Sequence, residues 1–172
     1  MNRFRVLILL VLCFSTLPAQ NLDRASILQA AREIMIAARF CTFVTLDKGG
    51  FPQARIMDPF PPTPSFSVWM ATNSKTRKTE QIKNNPKVAI NYFDRTGVSS
   101  VTLIGLASLV TDREKKAKLW KEEWESFYSN TFEGDDYILI EVKPIQLEIV
   151  SYKHKIASEP DSWKPAIVTF PE

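Results

Sequence analysis

The sequence predicts a mainly β (α+β) domain, a six-stranded antiparallel barrel with flanking helices. Three observations predict it. Short apolar runs rich in β-branched and aromatic residues recur along the chain between turn-forming residues. Most successive runs are joined by connections of hairpin length, which pair strands antiparallel. Apolar residues at helical spacing occur in three places only: at the start, in the middle and after the fifth strand.

Asp23 can cap a first helix running to about Arg39, with Ile27, Ala30, Ala31, Ile34, Met35 and Ala38 at helical spacing. The strand Phe40 to Leu46 follows, then the hairpin turn Asp47-Lys-Gly-Gly50. The chain returns as Phe51 to Met57, where alternation puts Gln53, Arg55 and Met57 on one face. Pro59, Pro61, Pro62 and Pro64 mark an irregular loop. Phe66 to Ala71 is the third strand, and a short helix after it stops at Asn85-Pro86. Lys87 to Phe93 and Val98 to Val110 are two more strands around the turn Asp94-Arg-Thr-Gly97, with Gly105 a bulge or bend. Thr111 and Glu114 form a capping box for a helix to roughly Tyr128, with Ala117, Trp120, Trp124 and Phe127 on a packing stripe. Tyr137 to Val142 and Ile145 to Val150 are two strands, or one strand bent at Pro144. The tail carries Trp163, Ile167, Val168 and Phe170, which are free to dock.

A leader precedes the domain. Arg3 and Arg5 form a basic segment, and the apolar run Val6 to Phe14 is too short to span a bilayer comfortably. Ser15-Thr-Leu-Pro-Ala-Gln20 supplies a helix-breaking proline and a small residue suited to cleavage. Residues 1–20 read as a signal peptide cut after Ala19 or Gln20, with an uncleaved anchor as the competing reading. The bulky Leu12 before Cys13 argues against lipid attachment there. On this reading the protein is exported, periplasmic or secreted, and leaves the membrane once cleaved. Residues 21–152 are then the folded domain and residues 153–172 a C-terminal tail.

Net charge is +3, and removing Arg3 and Arg5 brings it close to neutrality, which gives no basis for nucleic-acid binding. Cys41 is the only cysteine outside the leader, so no intrachain disulfide can form in the cleaved chain. His154 is the only histidine, and no Cys/His/Asp cluster surrounds it, which argues against a zinc site. It is either a surface residue between Lys153 and Lys155 or a ligand for a haem iron.

The most informative segment is Thr72-Asn-Ser-Lys-Thr-Arg-Lys78, between the third strand and its helix. It places Lys75, Arg77 and Lys78 at a helix N-terminus, where the helix dipole disfavours positive charge. Backbone N–H groups, the hydroxyls of Ser74 and Thr76, and three cations make a phosphate clasp. The other reading of the same residues is a solvated basic turn.

Gly50 to Met57, Thr72 to Lys78, Asn85-Pro-Lys-Val-Ala-Ile-Asn-Tyr-Phe93 and the Gly105 strand leading into the Trp120 helix together resemble the FMN-binding split barrels related to pyridoxamine 5′-phosphate oxidase. The branch they resemble most is that of the small general stress proteins, over about Ile27 to Tyr152. The resemblance implies a split barrel, an FMN site, a homodimer and flavin-dependent oxidoreductase chemistry on an unnamed substrate. It implies that Arg55 lies near the flavin phosphate, that Ile56 and Met57 run along the ring, and that Ala71 and Thr72 form the strand end beside it. Thr76, Arg77 and Lys78 would hold the phosphate. Where the oxidases carry a lysine, a glutamine and a tryptophan, this chain has Phe60, Ser100 and Val150, and no catalytic side chain is assigned. FAD, a deazaflavin and haem are the alternative cofactors, and a non-catalytic ligand-binding protein on the same barrel is the alternative function.

Overall fold

The computed structural model describes residues 23–128 and 130–171, so the leader assigned to residues 1–20 lies outside them. Helix α1 (Arg24–Ala38) begins where the Asp23 carboxylate accepts from Ser26 N–H at 2.9 Å, and it buries Ala30, Ala31, Ile34 and Met35. Strands β1 (Cys41–Leu46) and β2 (Pro52–Met57) form a hairpin. The Asp47 carboxylate closes its turn by accepting from the N–H groups of Gly49 and Phe51, and Gly50 adopts the positive φ of 81° that the turn requires. Strand β3 (Val68–Asn73) leads into α2 (Arg77–Asn84), and β4 (Lys87–Asp94) and β5 (Ser99–Val110) form the next hairpin. Helix α3 (Arg113–Lys118), β6 (Tyr137–Ser151) and β7 (Ala166–Thr169) complete the chain.

All strand pairs are antiparallel, in the order β2-β1-β4-β5-β6-β3, with β7 also pairing β6. Strands β2 and β3 end the path and do not close it, as in a split barrel. Pro59, just beyond β2, bridges to Met70 of β3. One core holds Phe43, Val68, Met70, Ile90, Leu103 and Leu147 from the strands, with Ile34 and Met35 of α1 packed against them.

The strand count is seven rather than six. Tyr137–Ser151 is one strand, because β5 pairs with it from Leu139 to Ser151, across Pro144. Its other edge is shared: β3 takes Tyr137–Val142 and β7 takes Gln146–Ile149. Pro144, which has no N–H to donate, falls between the two. The register of β5 shifts at Ile104/Gly105 opposite this point, and a Cβ on Gly105 would sit 2.3 Å from the Lys143 carbonyl oxygen. The seventh strand lies in the segment read as a tail.

The helix expected to reach Tyr128 stops at Lys118, and Asp112, not Thr111, caps it by accepting from Lys115 N–H at 2.9 Å. Beyond it the aromatic residues leave the helical stripe and gather on the buried Tyr137. Its hydroxyl donates to the Leu119 carbonyl at 2.7 Å, and its ring lies 5.1 Å from that of Trp120 and 4.9 Å from that of Tyr128. Edge-to-face packing around one ring favours this irregular path over a straight helix. The resulting strap, residues 119–134, contains only the 3₁₀ turns Glu122–Trp124 and Thr131–Glu133 as regular structure among its described residues.

Candidate functional site

The corner between β3 and α2 is built by short-range hydrogen bonds. Asn73 accepts from Lys75 N–H through its side chain and from Thr76 N–H through its carbonyl, at 2.9 and 3.2 Å. Ser74 N–H donates to the Asp136 carbonyl at 2.8 Å, which ties the corner to the entry of β6. Thr76 stands at the N-cap of α2, but its hydroxyl makes no capping bond and instead donates to the Asn73 carbonyl at 3.0 Å. The helix therefore begins without the side-chain acceptor its first N–H groups ordinarily receive.

Three cations converge here. The Lys78 ammonium donates to the Thr72 hydroxyl at 2.9 Å, with the Thr76 hydroxyl 3.4 Å from that of Thr72. Arg55, on the inward-facing edge of β2, donates to the Thr45 hydroxyl at 2.6 Å and to Gln81 Oε1 at 3.1 Å. Thr45 in turn donates to the same Gln81 oxygen at 2.6 Å. This polar knot between β1, β2 and α2 fixes the guanidinium.

Burial lowers the proton affinity of Arg55, and the neighbouring Arg77 lowers it further. Burial does the same to Lys78, with Arg55 adding to it. Among the described residues none of the three forms an ion pair, although Glu80 in the first turn of α2 does so with Lys48 at 2.9 Å. A cluster that repels itself, beside hydroxyl donors and a helix N-terminus, fits a multiply charged anion such as a phosphate.

Six of the eight residues singled out in the sequence (Ile56, Met57, Ala71, Thr72, Thr76 and Lys78) line a single cavity of about 510 Å³. That is the size range of small-molecule sites. Arg55 sits behind it in the polar knot. Arg77 lines the adjoining groove with Lys48, Glu80 and Gln81. Lys75, counted with the clasp in the sequence, is exposed and lines neither.

The rest of the cavity escaped sequence reading. Trp124, Phe127 and Tyr128 of the strap form its far wall, whereas the sequence put Trp124 and Phe127 on a packing stripe. That reading holds for Trp120, whose ring meets those of Trp124, Tyr128, Phe132 and Tyr137. Asp58 also lines the cavity and pairs with Lys121 of the strap at 3.1 Å. Thr45 and Gln81 were legible only as alternate positions on a strand and one helix face. His154 lies elsewhere, with Nε2 3.6 Å from the Glu33 carboxylate.

Residues 27–151 match the family described as pyridoxamine 5′-phosphate oxidase. The chain belongs to this family. General stress protein 26 of Bacillus subtilis is 23% identical over 137 residues, covering 78% of this chain and 95% of that protein. The crystal structure of general stress protein 26 from Bacillus anthracis superposes with a TM-score of 0.66 at 21% identity, over 83% of this chain and 97% of the other. A pyridoxamine 5′-phosphate oxidase-related, FMN-binding protein of Nostoc punctiforme gives a TM-score of 0.58 at 14% identity, over 87% and 97%. A haem-binding protein of Mycobacterium smegmatis gives 0.57 at 16% identity, over 74% and 54%. In sequence the chain is similar to general stress protein 26, and the solved structures share its fold.

Proposed function

We propose that this protein binds FMN in the cavity between β2, β3 and the strap, and that it is an exported, homodimeric flavin-dependent oxidoreductase. The observation that carries the reading is the self-repelling cluster Arg55, Arg77 and Lys78 at the N-terminus of α2. Its positive charge calls for a dianion, and the phosphate of FMN supplies one. Thr72, whose hydroxyl accepts from Lys78, offers its own O–H to the same group. The apolar side chains of Ile56, Met57 and Ala71 and the aromatic wall of Trp124, Phe127 and Tyr128 suit a flat ring beyond it. The membership of the family and the FMN-binding neighbour support the choice of flavin.

When bound, the flavin supplies the electron chemistry, and the chain binds and orients it. Arg55 acts from a fixed position, since Thr45 and Gln81 hold its guanidinium. Lys78, held on the Thr72 hydroxyl at 2.9 Å, would give its ammonium to the phosphate. The aromatic wall shields the ring from water. A homodimer would cover Ile56, which is 67% exposed on the rim.

The test is a fluorescence titration of FMN with the purified protein and with an Arg77→Ala/Lys78→Ala double variant. Loss of two charge-assisted contacts should weaken binding by about 3 kcal/mol or more. Equal affinities would remove the phosphate site from this corner. The second reading, haem, is favoured by the Mycobacterium neighbour. No histidine lines the cavity, so haem held through His154 would occupy a different place. A Soret band lost in His154→Ala would establish that reading.

A further inference from the structure

We propose that the protein has a second small-molecule site, in a cavity beside the proline loop, which takes a small carboxylate with an apolar body. The cavity, of about 220 Å³, lies between the last turns of α1, the loop that follows β2 and the start of the strap. It shares one residue, Asp58, with the flavin cavity. It is smaller than a flavin or drug-sized site, so it admits only a compact molecule.

Met35 and Tyr92 are its buried floor, and Ile36, Phe60 and the prolines of the loop give it apolar walls. Tyr92 is 1% exposed, yet its hydroxyl has no hydrogen-bond partner of ordinary geometry among the described residues. The Cys41 thiol is the polar group beside it, and a thiol is a weak partner. Burial, with Cys41 adding to it, raises the pKa of Tyr92, so the hydroxyl keeps its proton and is a donor without an acceptor. Such a group is costly to leave unsatisfied, and an acceptor oxygen brought in by a ligand would satisfy it.

The charges select the sign of the occupant. Of the three charged residues lining the cavity, Lys121 and Asp58 balance each other at 3.1 Å. The third, Arg39, forms no ion pair among the described residues. One positive charge is left over, which suits a monoanion, and the planar fork of a guanidinium matches a carboxylate. The backbone of Arg39 is strained. Its φ of 59° and ψ of −56°, with Phe40 N–H donating to the Ala38 carbonyl at 2.6 Å, make a γ-turn of the rare, unfavourable hand. Strain of this kind gathers at ligand clamps, and here it sets the one unmatched cation at the cavity. An occupant that meets these features has a carboxylate for Arg39 and the Tyr92 hydroxyl, and an apolar body for Met35, Ile36 and Phe60.

The test is a calorimetric titration of benzoate into the full chain, with benzamide as the uncharged comparison, in the absence of FMN and with FMN added in excess. One site per chain is expected, with the same affinity in both conditions, and benzamide should bind roughly tenfold more weakly. Arg39→Gln should weaken benzoate by about three- to tenfold and leave benzamide unchanged. Tyr92→Phe keeps the ring and deletes the donor. Benzoate should then bind about threefold or more weakly, while the thermal midpoint holds or rises, because the deleted hydroxyl has no partner in the fold. A hydroxyl that only held the core together would lower the midpoint instead. Arg39 is exposed, so its variant keeps the fold and decides the question even if Tyr92→Phe does not fold. Absence of benzoate binding overturns the proposal, and so does displacement of benzoate by FMN or indifference to either variant. Failure of FMN to bind would leave these titrations intact, so the flavin reading and this one fail separately.

Discussion

The wall of the proposed flavin cavity formed by β2, β3 and α2 consists of regular elements and leaves its cations without carboxylate partners among the described residues, whereas the opposite wall, the strap 119–134, is irregular and aromatic, with Lys121 and Glu133 in ion pairs. Lys121 meets Asp58 at 3.1 Å, Arg113 pairs with Glu133, and the buried Lys116 donates to the Gly134 carbonyl at 2.8 Å. Arg55, Arg77 and Lys78 have no such carboxylates among the described residues. Two cations that brace the strap, Lys121 and Arg113, thus have carboxylate partners, whereas the three at the corner have none and would be balanced by an anion from outside. The regular wall would fix the position of that anion. The aromatic wall is held by ring packing and side-chain contacts, without long-range backbone pairing among its described residues.

This contrast predicts that the two walls fail independently. Trp120→Ala removes the hub of the aromatic cluster and should destabilise the strap by about 3 kcal/mol. Hydrogen exchange and proteolysis should then accelerate within residues 119–134 and not in β4 and β5. Uniform acceleration across strap and barrel would show that they unfold as one unit.

The charged wall should show opposite signs for stability and binding. Lys78→Met removes a half-buried cation that Arg55 repels. FMN affinity should fall by about 2 kcal/mol. The ligand-free fold should gain roughly 0.5 kcal/mol, a small figure because solvent screens the half-exposed ammonium. Paired measurements of FMN affinity and thermal midpoint decide it. A variant that loses both would mean the Lys78–Thr72 hydrogen bond matters more than the repulsion.

Gln81→Leu tests the support of Arg55 without touching a cation. The Thr45 hydroxyl, buried completely, loses its acceptor, and the guanidinium loses one of its two side-chain anchors. A cost of about 1 kcal/mol each in stability and in FMN affinity is expected. Unchanged affinity would mean that Thr45 alone orients Arg55.

The difference between the walls also explains what the sequence revealed. The hairpins around Asp47–Gly50 and Asp94–Gly97, the Asp23 cap and the bulge at Gly105 follow from local chemistry and alternation, and the structure has all of them. The β3–α2 corner was legible because its elements are consecutive in the chain. The strap was not. Its course is set by Tyr137, a residue nine positions beyond Tyr128, and a helical stripe of aromatics has the same local pattern as a cluster gathered on a distant ring. The seventh strand was missed because a four-residue edge strand carries too little periodicity to separate from a docking tail. Thr45 and Gln81 are ordinary polar residues until β1, β2 and α2 bring them together.

The smallest predicted effect concerns pH. Burial, with Arg55 adding to it, lowers the pKa of Lys78 below its ordinary value of 10.5. A dianion beside the ammonium favours the protonated form and raises the pKa again. FMN thus binds the protonated protein more tightly, and its affinity is full below the ligand-free pKa of Lys78 and declines as pH rises through it. Stability of the ligand-free fold moves the other way. The folded pKa lies below the unfolded one, so the charged lysine weakens the fold at neutral pH and that penalty lifts as pH climbs toward 10.5. From about pH 7.5 to about pH 9.5, FMN affinity should fall roughly twofold more in the wild type than in Lys78→Arg, whose guanidinium keeps its proton. Titrations at stepped pH measure the difference between the two curves, which cancels any titration of the flavin itself. Parallel curves would mean that Lys78 stays fully protonated in the empty site, and that the repulsion within the cluster is weaker than its geometry implies.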